Sequence, residues 1–224
     1  MTIRKKLLAM YDAMHARFGP RHWWPSTAGC ESAEGKLEIC LGAILTQNTN
    51  WTNVEKAVAN LLAAGCMSVA KLHALRREEL AELIRPAGYF NVKAKRLKHF
   101  ITRVREKFGG DIEALLASPA AQLREELLSI HGVGRETADS MILYAAGKPS
   151  FVVDAYTGRI FQRHGLIAEG DEYEAIKAFF ESHLPRDVAL WNDYHAQIVE
   201  TGKNFCKPTP RCEGCPLKRF SRTL

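Results

Sequence analysis

Leu123-Arg-Glu-Glu-Leu-Leu-Ser-Ile-His131-Gly-Val-Gly-Arg-Glu136-Thr-Ala-Asp-Ser-Met-Ile-Leu-Tyr-Ala-Ala146 reads as a helix, a glycine turn and a second helix. Leu123 to Ser129 closes the first helix. In the second, Thr137 to Ala146, Ala138, Met141, Ile142 and Ala145 recur at helical spacing. Gly132 and Gly134 allow the turn backbone angles that other residues avoid. The reading places the amides of Gly132, Val133, Gly134 and Arg135 at the start of the second helix, where unsatisfied N–H groups and the helix dipole favour an anion. A nucleic-acid phosphate is the anion that suits a basic chain. Gly147-Lys148-Pro149 stops the helix, and Val152-Val153-Asp154 sets a lone carboxylate ahead of the next helical run.

The surrounding chain is helical almost throughout. Leu37, Cys40, Leu41, Ile44 and Leu45 form one apolar stripe, and Val54, Ala57, Val58, Leu61 and Leu62 form another. Further helical runs cover 68–75, 77–84, 92–108, 112–116, 120–128, 155–164, 172–183 and 188–202, separated by Gly, Pro or Ser. Strand alternation, low complexity and internal repeats are absent. The 224 residues suffice for one large or two small domains. Lys and Arg number 31 against 25 Asp and Glu, a net charge of +6, which permits polyanion binding without requiring it. No apolar run has membrane-spanning length, and the N-terminus has no signal-peptide core, so the expected location is the cytoplasm. There the six cysteines serve as ligands or buried thiols rather than disulfides.

Ser129-Ile-His-Gly-Val-Gly-Arg-Glu-Thr-Ala-Asp-Ser140 and Val152-Val-Asp-Ala-Tyr-Thr-Gly-Arg-Ile160 resemble the signature of the helix-hairpin-helix glycosylases of the endonuclease III superfamily. The resemblance extends over most of the chain, from Gly19 to Leu217. It implies an all-α, two-lobed fold. One lobe is a helical barrel over 28–148 that contains the helix-hairpin-helix at 123–146. The other combines 1–27 with 149–224 and ends in a Cys-rich loop at 206–221. The resemblance also implies a monomer that holds damaged double-stranded DNA in a cleft between lobes, with the hairpin and Asp154 at its mouth.

Asp154 has two readings. A fixed carboxylate can stabilise the positive charge that builds on a deoxyribose as its base leaves, and can activate the attacking water. An Asp ahead of a helix also caps it, and both roles are compatible in one residue. Glu136 occupies the place where bifunctional relatives carry a lysine whose amine attacks the sugar. Glutamate forms no imine, so the resemblance implies a monofunctional glycosylase with weak or no lyase activity, unless a distant amine such as Lys203 substitutes. Taken without the resemblance, Glu136 only adds an acidic residue to a first helical turn.

In Thr46-Gln47-Asn48-Thr49-Asn50-Trp51 the resemblance assigns Gln47 to the hole left by an extruded base; otherwise the segment is a polar helix–helix turn. Gly88-Tyr89-Phe90-Asn91-Val92-Lys93-Ala94-Lys95-Arg96 resembles a DNA-facing segment, with Tyr89 as a wedge, Asn91 as helix cap and Lys93 and Lys95 near phosphates. The alternative there is a core pair, Tyr89 and Phe90, with solvated lysines. Trp23, Trp24 and His131 are candidates for the base pocket, since indole faces grip electron-poor methylated purines; paired tryptophans are also common packing anchors. The run Phe18-Gly-Pro-Arg-His-Trp-Trp-Pro25 resembles the branch containing bacterial 3-methyladenine glycosylases.

Cys206, Cys212 and Cys215, with Ser221 at the fourth position, resemble the family's [4Fe–4S] loop; zinc, or no metal, is the alternative, because serine is a harder and poorer ligand for iron. Two activities remain beside release of alkylated purines. One is an endonuclease III-type action on oxidised pyrimidines or on uracil or thymine mispairs. The other is non-catalytic DNA binding through the hairpin alone.

Overall fold

The computed structural model describes residues 2–220. Among them every regular element is helical, and no helix is long and apolar enough to cross a membrane. The chain divides into two compact units, Trp24–Lys148 and the combination of Met1–Trp23 with Pro149–Leu224.

The first unit contains α2 (Ala33–Leu45), α3 (Trp51–Ala63), α4 (Val69–Ala74), α5 (Arg77–Leu83), α6 (Phe90–Phe108), α7 (Ile112–Ala117), α8 (Ala120–Leu128) and α9 (Arg135–Ser140). Polar side chains start these helices where the sequence offers them. Ser32, Asn50 and Ser68 accept the N–H of Gly35, Asn53 and Lys71, three residues on. α2 lies at the centre of the unit, against α3, α6 and α7. Its sequence suggests one apolar stripe, but Ile39, Gly42 and Ala43 are buried along with that stripe. A helix apolar on all sides belongs in a core rather than on a surface. From sequence the unit begins at residue 28; in the structure it begins at Trp24. The Trp24 indole lies on Gly42, where an added Cβ would come 3.0 Å from Cζ2, and meets the rings of Trp51 and Tyr144. After Ser140 the expected regular helix widens into a π turn, Met141–Ala145, closed by the Ala146 N–H on the Met141 carbonyl at 3.0 Å.

The second unit is built from α1 (Ile3–Phe18), α10 (Ala155–Arg163), α11 (Tyr173–His183) and α12 (Val188–Asn204). α1 is absent from the sequence-based helix assignment. Its signals were present: Thr2 caps it by accepting the Lys5 N–H, and Leu7, Met10 and Met14 bury one face. α12 packs on α1 and α10, and the Tyr194 hydroxyl donates to the Leu7 carbonyl at 2.8 Å. Aromatic rings fill the core. Phe151 stacks on Phe180 at 4.2 Å, and Phe161 meets Phe180 edge-on at 4.7 Å.

Phe151 belongs to the short extended run that leads to Asp154. Its N–H donates to Glu181 at 2.9 Å, and Lys177 donates to Ser150 Oγ and to Glu181, both at 2.6 Å. Phe151→Ala removes a fully buried ring from this junction. We expect a loss of about 3–5 kcal/mol, seen as a fall of roughly 10 °C in melting temperature; a change under about 2 °C would show the ring to be dispensable.

Candidate DNA interface and catalytic carboxylate

In the hairpin the two glycines have different reasons to be there. Gly132 has φ +94°, and a Cβ on it would sit 2.3 Å from Arg96 Cγ of α6. Gly134, the N-cap of α9, is ordinarily extended at φ −92° and has open space where a side chain would go. Only Gly132 therefore needs the left-handed region. Val133 is buried, and its N–H donates to the Ile130 carbonyl at 3.0 Å. It anchors the turn inward, which corrects its assignment to the DNA-facing set. Gly134, Arg135 and Glu136 are exposed at the start of α9.

Gln47 ties the α2–α3 turn to this hairpin. Its Nε2 donates to the Gly132 carbonyl at 3.0 Å and to Thr137 Oγ1 at 2.9 Å, and its Oε1 accepts from Arg96 Nη1. To enter a duplex, Gln47 would have to exchange these partners. Arg96 closes the segment that contains Tyr89, and the sequence assigns it no role of its own. Beside it on α6, the ring of His99 meets that of His131 edge-on at 5.0 Å, and His99 Nδ1 lies 3.3 Å from the His131 carbonyl.

Tyr89 is 71% exposed and holds φ +46°, an uncommon backbone state for a residue with a side chain. It occupies the N-cap position of α6, so Asn91, expected as the cap, instead lies inside the first turn and is exposed. Lys93 is a clearer correction. It is 1% exposed, and its ammonium donates to the carbonyls of Leu45 and Ala87, each at 2.8 Å. The helical repeat turns Lys93 inward with Ala94 and Leu97, so it braces the core and contacts no phosphate, while Lys95 points outward. Burial, with the nearby Arg96 charge second, pulls Lys93 down from 10.5 to about 8.

A cavity of about 290 Å³ opens beside Trp24, lined also by Pro25, Trp51, Glu38, Glu55 and Leu62. Glu38 organises its rim: the carboxylate accepts from Ser26 Oγ and from the N–H and hydroxyl of Thr27. Of the three residues expected to line a base pocket, Trp24 alone lines this cavity. Trp23 belongs to the other unit and His131 to the hairpin. Trp51 and Glu55, joined by an indole N–H donated at 2.8 Å, were not anticipated as lining residues.

In the other unit Asp154 is the N-cap of α10. Its Oδ1 accepts the Thr157 N–H at 2.7 Å and the Thr157 hydroxyl at 2.8 Å. Its Oδ2 lies 3.8 Å from Nε2 of His195, on α12. Sequence gave no signal for His195, which is 41 residues away. Burial holds the His195 imidazole below its ordinary value, opposed by the Asp154 charge.

The C-terminal loop is fastened to α10 by two arginines. Arg159 Nε donates to the Cys206 carbonyl at 2.6 Å, and Arg163 donates to Cys206 Sγ at 3.2 Å and to the Lys207 and Pro208 carbonyls at 2.7 Å. Cys206 is buried, Cys212 exposed and Cys215 between the two. Among the described residues no three His, Cys, Asp or Glu side chains gather as ligands of a metal ion, and Ser221 lies outside those residues. The described residues therefore do not by themselves show the [4Fe–4S] or zinc site expected from these cysteines.

A family model described as the HhH-GPD superfamily base excision DNA repair protein matches residues 41–186. A Methanocaldococcus jannaschii protein named as a candidate DNA repair glycosylase is 46% identical over 94% of this chain and 93% of its own. Endonuclease III of Thermotoga maritima is 33% identical over 81% of this chain and 80% of its own. Among solved structures, the 3-methyladenine DNA glycosylase of H. pylori bound to 1,N6-ethenoadenine superposes with a TM-score of 0.75 at 29% identity, covering 91% of this chain and 98% of that one.

Two outcomes test this geometry. Gly132→Ala drives a Cβ into Arg96 and strains the turn; we expect duplex affinity to fall about tenfold by fluorescence anisotropy, while a protein that binds as tightly as the parent would remove the hairpin from the interface. For Lys93, the unfolded chain holds a proton that the folded chain lacks between about pH 8 and 10.5. Stability conferred through this group therefore rises with pH across that window. In thermal melts the parent should gain on Lys93→Met as pH rises from 8 to 10.5, and parallel curves would contradict the buried placement.

Proposed function

Because this chain belongs to the HhH-GPD superfamily of base excision DNA repair proteins, we propose that it is a monofunctional DNA glycosylase, that it hydrolyses the N-glycosidic bond of an N-alkylated purine in double-stranded DNA, and that Asp154 is its catalytic carboxylate. The hydrogen bonding of Asp154 carries the reading. Oδ1 is engaged by both donors of Thr157, so the carboxylate is fixed and Oδ2 is the oxygen that works on water. As the base departs with the electrons of the glycosidic bond, positive charge develops on the sugar, and the Asp154 charge stabilises it. Water then bonds to the anomeric carbon and gives a proton to Oδ2. The products are a free base and an abasic sugar in an unbroken strand.

Glu136 supports the monofunctional part, since the first turn of α9 offers a carboxylate where an imine-forming amine would be needed. The cavity beside Trp24 supports the substrate class. N-alkylated purines carry positive charge, which suits indole faces together with the carboxylates of Glu38 and Glu55. Likeness to the H. pylori 3-methyladenine glycosylase points the same way. Exposed Tyr89, Asn91 and Arg135, with Gln47 and the backbone of Gly132 and Gly134, form the proposed DNA-contacting set. The enzyme acts as a monomer, in a reducing cytoplasm that suits its free cysteines. The endonuclease III of Thermotoga maritima favours a second reading, in which oxidised pyrimidines are the substrates.

A panel of duplexes carrying alkylated purines, oxidised pyrimidines, or uracil or thymine opposite guanine separates these readings. We expect release of an alkylated purine, with strand breaks only after hot alkali. Asp154→Asn should slow release by about 10²- to 10⁴-fold with DNA affinity nearly unchanged. Breaks without alkali would establish a lyase, and release confined to oxidised pyrimidines would favour the second reading. No release from any lesion would leave a DNA-binding protein without catalysis.

A further inference from the structure

We propose that His195 is a positioning residue for Asp154, holding the carboxylate's Oδ2 in the orientation that water activation needs. The inference rests on the glycosylase reading above. With Oδ1 fixed by Thr157, the direction of Oδ2 depends on what stands beside it, and His195 Nε2 stands 3.8 Å away. Both side chains are nearly buried, at 10% and 11% exposure, so the imidazole has little freedom to swing aside.

The register of α12 against α10 keeps it there. Next to His195, Tyr194 is bonded to Leu7, and Gln197 donates to the Gly19 carbonyl at 2.7 Å and to Asp193 at 3.1 Å. Two turns further on, Gly202 lies so close to the Tyr156 ring of α10 that a Cβ would come within 2.1 Å of Cδ1. These contacts set the His195–Asp154 distance by packing. The ionisable ring buried at that place faces the carboxylate. Burial favours the neutral imidazole; at 3.8 Å it stands just beyond hydrogen-bond distance of Oδ2, and a small closure lets it donate one N–H there without cancelling the charge that the sugar requires.

Single-turnover base release should be compared for the parent, His195→Leu and His195→Gln, on the duplex that the parent processes. Affinity for a duplex with a stable abasic analogue is measured alongside. We expect His195→Leu to slow release about 10- to 100-fold, the range that a misplaced catalytic group costs, with affinity within about twofold of the parent. His195→Gln, which keeps an N–H donor at similar reach, should recover to within about threefold. If leucine unfolds the chain, His195→Asn replaces it; its shorter reach should leave release slow. The inference is overturned if the leucine variant releases base at the parent rate, if glutamine is as slow as leucine, or if asparagine is as fast as glutamine. Failure of the glycosylase reading looks different: a parent inactive on every lesion, or an Asp154→Asn variant as active as the parent.

Discussion

A single carboxylate oxygen bound by both donors of one threonine is the constraint on which the functional reading depends. Thr157 gives Asp154 Oδ1 its N–H and its hydroxyl. The amides at the start of α10 also favour a negative charge there. In the proposed function capping and catalysis are one arrangement, because the bonds that start α10 are the bonds that orient the carboxylate. The neighbouring chain reinforces this. Lys177 and Glu181 pin the extended run before Asp154, and aromatic stacking holds Phe151 three residues upstream.

The hairpin follows a different rule, close approach. Gly132 admits the side chain of Arg96 where any other residue would collide, and Gln47 bridges the resulting contact. Lys93 extends the same device inward. An amine with two carbonyl partners joins the end of α2 to the turn before α6, and a buried polar group is tolerated because it is hydrogen-bonded. With that turn fixed, Tyr89 stands outward in the left-handed region. An exposed ring on a strained backbone, rigidly mounted, suits insertion beside a base better than a mobile loop would.

Charge gives the substrate proposal its chemical sense. A cationic purine is a good leaving group, because departure neutralises it. The enzyme then has to recognise the cation and manage charge on the sugar. On that proposal the two indoles and two carboxylates around one cavity serve the first task, and Asp154 the second. On the same proposal Glu136, lacking a nucleophilic amine, leaves water as the attacking species.

Helix order, most helix starts and the family were legible in the chain itself. Asn50, Ser68 and Asp154 announce their helices because a capping side chain acts on its own neighbours, three residues away. The hairpin and the downstream aspartate carry the family for the same reason, as a local motif at fixed spacing. Partners did not follow from any local pattern. Lys93 reads as a phosphate contact and is buried; Val133 reads as part of the phosphate-facing hairpin and anchors the turn; α2 reads as two-sided and is buried all round. Periodicity reports that a face is covered, but not by what. The meeting of Arg96 with Gln47 and of His195 with Asp154 depends on how helices far apart in sequence pack together, and only the tertiary structure decided it.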